Sequence, residues 1–182
     1  MTDTKSDSQL IEEFISGSDI AFNLLAKRYQ QKIYWHARRM TGNHLDADEI
    51  VQQVLLVMYN KLKSFNFQSS VYTWIYKITS TRSLNYLKRR KLKEILSLEE
   101  QSEKLQESSD DILENLEVKE KLETVNRVLQ KLPAKQREIF ILRNYDDLSY
   151  KEISEITGKS IGALKSNYFH SIKKIIELMR EK

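Results

Sequence analysis

The sequence predicts an all-α protein built from two small helical domains joined by an acidic linker. Three observations carry that reading. Only four glycines and one proline punctuate 182 residues, fewer than sheets, barrels or phosphate-cradling loops need. Apolar residues recur every three to four positions over most of the chain, the period of a helix with one buried face. Charge is segregated along the chain: 14 Lys/Arg against 8 Asp/Glu give +6 over residues 1–91, 4 against 11 give −7 over 92–123, and 12 against 7 give +5 over 124–182. Two basic lobes around an acidic strip fit two contacts with a polyanion, joined by a segment that repels it.

The elements follow in order. "DSQLIEEFIS" places Leu10, Ile11 and Phe14 on one face and stops at Gly17. "SDIAFNLLAKRYQQKIYWHARRM" has Ser18 or Asp19 as its cap. Ile20, Phe22, Leu25, Tyr29, Ile33, Ala37 and Met40 form its apolar stripe, and Gly42 is its stop. "DADEIVQQVLLVMYNKL" opens at Asp46 with acids that suit a helix N-terminus, and buries Ile50, Val51, Val54, Leu55, Met58 and Leu62. A polar loop, "SFNFQSS", carries Phe65 and Phe67. A helix from about Ser70 to Lys91 ends in four consecutive cations. Residues 92–123 read as a loose acidic linker turning helical near Asp111, or equally as a solvated acidic helix. Pro133 opens the helix "PAKQREIFILRNY". The stretch "DDLSYKEISEITG" gives a capped short helix stopped by Gly158, and "KSIGALKSNYFHSIKKIIELM" gives the last one.

Composition narrows the function. With no cysteine there is no disulfide and no thiolate metal site, which fits a reducing cytoplasm. No run approaches the roughly 20 apolar residues of a membrane helix, and the start "MTDTKSDSQL" has no apolar signal core. A cytoplasmic chain without direct membrane contact is expected. His36, His44 and His170 stand apart without ligand spacing. There is no Gly-rich phosphate loop, no Gly-x-Ser-x-Gly and no paired carboxylates in an apolar setting. No catalytic residue, cofactor or metal site is therefore assigned, and the chain reads as a non-enzyme.

Three constellations stand out. The C-terminal pair has helix–turn–helix spacing. Leu148, Ile153 and Ile156 are expected inside on its first helix, and Ile161, Leu164, Tyr168 and Ile172 on its second. That leaves small, polar and cationic side chains outward, able to read base edges and hold phosphates, although a plain helical hairpin has the same spacing. In "TWIYKITSTRSLNYLKRRK", Trp74 and the tyrosines suit a core. With Phe65 and Phe67 beside a cationic helix they also suit unstacked bases on a phosphate backbone. Finally, Asp46, Asp48, Glu49, Gln52 and Gln53 give an acidic and amide face on a basic lobe, suited to the dipole of a helix N-terminus or to a basic protein partner.

"DADEIVQQVLLVMY", "TWIYKITSTRSLNYLKRRK" and "LPAKQREIFILRNYDDLSYKEISEITGKSIGALKSNYFHSIKKI", in that order, resemble conserved regions 2 and 4 of bacterial extracytoplasmic-function (ECF) sigma factors of the sigma-70 family. The resemblance implies a region 2 helical bundle over 1–91, an acidic linker over 92–123 and a region 4 helix–turn–helix over 124–182. It implies a factor that binds core RNA polymerase, through the β and β′ subunits, and directs promoter-specific initiation, with an anti-sigma factor as a further partner. Asp46, Asp48, Glu49, Gln52 and Gln53 would face the basic coiled coil of the polymerase clamp. The melted −10 strand would meet Phe65, Phe67, Gln68, Ser69, Ser70, Thr73, Trp74, Lys77, Ser80, Thr81, Asn85, Lys88, Arg89, Arg90 and Lys91. The −35 duplex would meet Lys159, Ser160, Ala163, Lys165, Ser166, Asn167, His170, Lys173 and Lys174. The acidic linker would run through the polymerase's RNA exit path. Three positions depart from the family pattern. Ser80 and Thr81 replace a basic and an amide residue, Asn167 stands where Arg is frequent, and Gln53 stands where an acid is usual.

Overall fold

The computed structural model describes residues 5–97 and 124–180. Most of the expected linker, including its turn toward helix near Asp111, falls outside these residues. Among them every regular element is helical.

Local chemistry sets the helix ends. Helix α1 (Asp7–Ile15) starts at a capping box: the Ser6 hydroxyl accepts from the Gln9 amide, and the Gln9 side chain accepts from the Ser6 amide, so two orphan donors are satisfied together. Helix α2 (Asp19–Thr41) is capped by Ser18 and ends on Gly42 at φ 77°, a left-handed conformation that a Cβ disfavours. Helix α3 (His44–Lys61) begins two residues earlier than expected, because the Asn43 side chain accepts from the Asp46 amide at 3.1 Å. Asp46 lies in the first turn, where its charge suits the helix N-terminus as expected. A single 3₁₀ turn, Leu62–Ser64, leads to the aromatic loop. Helix α4 (Val71–Ser97) runs six residues beyond Lys91, so residues 92–97 follow the helical of the two readings of this segment.

In the C-terminal half, residues 124–130 form α5. Pro133 precedes α6 (Ala134–Asn144). Helix α7 (Tyr150–Thr157) has a second capping box, Ser149 with Glu152, and stops on Gly158 at φ 70°. Helix α8 (Ile161–Arg180) follows three residues after α7 ends.

Packing divides into two cores. Helices α1 to α4 enclose Leu10, Ile11, Phe14, Leu25, Ile33, Ile50, Val54, Met58 and Ile75. A smaller core joins Ile139, Leu142, Leu148, Ile153, Ile156 and Leu164 of α6 to α8. Its seventh buried member is Tyr76, which belongs to α4. The two lobes are thus packed on one another, with α4 against α6 and α7 and α2 against α6. Two apolar residues depart from the expected stripes. Ile20 in the first turn of α2 and Ile161 at the start of α8 are both exposed, since Ala21 with Phe22, and Leu164, supply the inward contacts there.

Candidate nucleic-acid interface

The aromatic loop divides its two phenylalanines. Phe65 is 9% exposed and lies 5.3 Å, centroid to centroid, from Trp74. Phe67 is 48% exposed, at φ 56°, with its ring edge-on to Phe65 at 4.9 Å. Trp74 is half-buried. The loop therefore anchors one ring and presents the next to solvent on a left-handed backbone, which a bulky residue seldom adopts. Gln68 and Ser70 are exposed beside it, and Ser69 is half-buried. Thr73, predicted to face DNA, is buried: its amide is held by the Ser70 hydroxyl at 3.0 Å and its own hydroxyl lies 2.8 Å from the same oxygen.

Along α4, Lys77, Thr81, Asn85, Lys88, Arg89 and Lys91 are exposed, a cationic and amide face. Ser80 is not part of it. It is 3% exposed and donates to Glu138 of the other lobe. Arg90 turns inward, reaching the Thr41 carbonyl at 3.2 Å and Asp46 at 3.1 Å.

The α3 face is split in the same way. Asp46 accepts from Tyr86 at 2.6 Å as well as from Arg90. Burial, reinforced by that carboxylate, pushes the Tyr86 hydroxyl up, so it stays a donor. Asp48 sits 3.3 Å from His44, and Glu49 accepts from Gln53 at 2.9 Å. Glu49 and Gln52 are exposed and Gln53 half-buried. Exposed Leu56 extends the same face. The acidic and amide pattern alone marks this face as polar; the 49–52–53–56 spacing is the signal that an apolar side chain joins it.

In the helix–turn–helix, Leu148, Ile153, Ile156 and Leu164 are buried as expected, while Tyr168 and Ile172 are half-buried. Ser160, Ala163, Lys165, Ser166, His170, Lys173 and Lys174 are all exposed, with Lys159 and Asn167 half-buried. The Ser160 hydroxyl accepts from the Ala163 amide at 3.3 Å. Asn167 donates to the Ala163 carbonyl at 2.8 Å, so its amide is occupied along its own helix. Phe169, which local patterning does not single out, is exposed among these polar residues.

A helix–turn–helix on one lobe, and an aromatic loop ahead of a cationic helix on the other, match known proteins over almost the whole chain. A family model for sigma-70 region 2 covers residues 25–93, and one for sigma-70 region 4 covers 122–175. The ECF RNA polymerase sigma-E factor of Escherichia coli K12 is 33% identical over 180 residues, covering 94% of this chain and 93% of that protein. The chain is an ECF sigma factor. The sigma-E factor of Haemophilus influenzae is 29% identical over 178 residues, with 94% of each chain covered. Two solved structures share the fold. CnrH, in complex with the cytosolic domain of CnrY, gives a TM-score of 0.73 at 19% identity, over 98% of this chain and 99% of that one. RpoE of Bartonella quintana, with the anti-sigma factor NepR, gives 0.71 at 22%, over 87% and 96%. As a sigma factor the protein directs promoter-specific transcription initiation and is not an enzyme. No described helix is long and apolar enough to cross a membrane.

Proposed function

We propose that this sigma factor reads the −10 element as melted single strand with its first lobe, residues 1–91, and the −35 element as duplex with its second, residues 124–182. Residues 92–123 connect the two within the polymerase. The half-exposed ring of Phe67, edge-on to Phe65, which itself packs against Trp74, ahead of a helix that exposes Lys77, carries this reading. A flat partner next to cations is what an unstacked base on its phosphate needs. Thr81, Asn85, Lys88, Arg89 and Lys91 extend the track along α4. In the second lobe Ser160, Ala163, Ser166 and His170 meet base edges while Lys165, Lys173 and Lys174 hold phosphates. The α3 face, Asp48, Glu49, Gln52 and Gln53 with Leu56, docks on the β′ clamp, and an anti-sigma factor competes for these surfaces. Support for that competitor comes from the partnered states of CnrH and RpoE.

Neither lobe needs high affinity alone, because tethering to the polymerase raises the effective concentration of each contact. The test is run-off transcription with purified core polymerase on genomic fragments. Defined transcripts that require this chain are expected, together with weak duplex binding by the free protein. The absence of any chain-dependent transcript contradicts the proposal.

A further inference from the structure

We propose that Asp46 is a positioning residue for strand capture: acting through Tyr86 and Arg90, it fixes the cationic end of α4 on α3 and does not itself touch the polymerase. The inference rests on the strand-binding role just assigned to α4. It also accounts for two residues that the expected surfaces lose. Asp46 was expected at the clamp and Arg90 at the DNA, and the structure joins them to each other.

Both oxygens of the Asp46 carboxylate are taken. One accepts from the Tyr86 hydroxyl at 2.6 Å and the other from Arg90 at 3.1 Å. The same Arg90 nitrogen donates to the Thr41 carbonyl at 3.2 Å, so the guanidinium bridges the end of α2 and the start of α3. Tyr86 and Arg90 are four residues apart and share one face of α4, which lets a single carboxylate hold both. The Asp46 side chain is 17% exposed, against 47% for Asp48. Asp48 and Glu49 find partners within α3, at His44 and Gln53. Asp46 instead reaches another helix of its own lobe. Asp146, by contrast, lies 2.6 Å from His36 and accepts from Tyr76 at 3.2 Å across the two lobes.

The anchor decides which cations face outward. Lys88, Arg89, Arg90 and Lys91 are consecutive, and a helix turns about 100° per residue, so one face cannot present all four. Arg90 is drawn inward and neutralised by Asp46, which leaves Lys88, Arg89 and Lys91 exposed. Residues 91–96 beyond it are all exposed, so the Asp46 bonds hold α4 close to the point where it leaves its lobe. A charge-assisted hydrogen bond in a half-buried setting is strong enough to set that register. Without it the end of α4 is free to bend or fray, and its cations no longer line up with successive phosphates.

The test uses the full chain with core polymerase and separates two affinities: that of the chain for core, and that of the resulting holoenzyme for a −10 single-strand oligonucleotide. Asp46→Ala should leave the first within about twofold and weaken the second about tenfold, the scale of one charge-assisted hydrogen bond. The salt slope of oligonucleotide binding should fall by roughly 0.7, one phosphate contact on a single strand. Arg90→Ala should act alike, and the double variant should be no worse than either single one, because the pair works as a unit. Tyr86→Phe keeps the ring, removes only the hydroxyl, and should show the same split at about threefold. A loss of core affinity in Asp46→Ala that matches its loss of oligonucleotide binding, with an unchanged salt slope, overturns the proposal. Loss of core affinity alone makes Asp46 a clamp contact and overturns it too, as does tighter oligonucleotide binding once Arg90 is freed. If Lys88→Ala/Arg89→Ala leaves oligonucleotide binding unchanged, the strand-binding reading of α4 is what fails, and this inference falls with it.

Discussion

Phe67 and Glu138 put chemistry on opposite sides of the molecule's economy, one exposed for use and the other buried at a cost. Phe67 has little packing to lose, so Phe67→Ala should leave the denaturation midpoint nearly unchanged. Stacking of one base on an aromatic is worth about 1–3 kcal/mol, so the same change should weaken binding of a −10 single-strand oligonucleotide by roughly 5- to 150-fold in a polymerase-bound competition assay. Glu138 behaves differently. Burial pushes its carboxyl up, partly offset by the Ser80 hydroxyl and by His36, Lys159 and Lys135. A carboxyl raised in the folded state binds its proton more tightly there than in the unfolded chain. Its contribution to stability is therefore full at pH below the ordinary glutamate value and is lost as pH rises through the raised one. A pH series of urea midpoints should show wild type losing stability relative to Glu138→Gln over that interval. Neither residue's situation was equally plain in the sequence. Phe67 stood out as an aromatic among polar residues. Glu138 and Arg137 read as ordinary helix charges, because their partners, Ser80 and Met40, lie 58 and 97 positions away and local periodicity carries no trace of such pairs. Arg137, with its guanidinium pushed down to about 10 by burial and by Arg90 nearby, is the clearest case.

Helix ends were the most legible elements, since a cap is chemistry within four residues. Ser18, Gly42 and Gly158 act as the sequence implies, and the cap expected on the short helix is Ser149. Where prediction and structure parted, at Asn43, the cause was a cap two residues ahead of the expected start, and α4 runs on to Ser97 because no helix breaker follows Lys91. The two left-handed glycines make a matched test. Beyond its backbone, a Cβ at Gly158 meets nothing within 4 Å, whereas one at Gly42 would lie 2.7 Å from the Gln130 side chain. Asparagine tolerates the left-handed conformation. Gly158→Asn should therefore shift stability by less than about 1 kcal/mol. Gly42→Asn should cost more, read as a lower midpoint in thermal melts. Leu164→Ala, which empties the centre of the second core, should cost about 2–5 kcal/mol.

Across the whole molecule, the division into two basic lobes was visible in the charge pattern, and the family resemblance extended it to nearly every residue. The way the lobes sit together was not visible, because a patterned helix declares that one face is buried but not which partner buries it. Tyr76 illustrates the gap: its place on the helix fits the first core, yet it completes the second. Both tryptophans, Trp35 and Trp74, lie in the first lobe, so fluorescence follows that lobe alone while circular dichroism follows both. In wild type the two urea transitions should coincide. In Asp146→Ala they should separate, with the lobes unfolding independently.

Strand capture by the aromatic loop is tested most directly by permanganate footprinting of −10 thymines in a complex of core polymerase, this chain and a cognate promoter. Strong reactivity is predicted with wild type and a loss of about tenfold or more with Phe67→Ala. Equal thymine reactivity with the two proteins, at equal occupancy of the −35 element, would contradict the account.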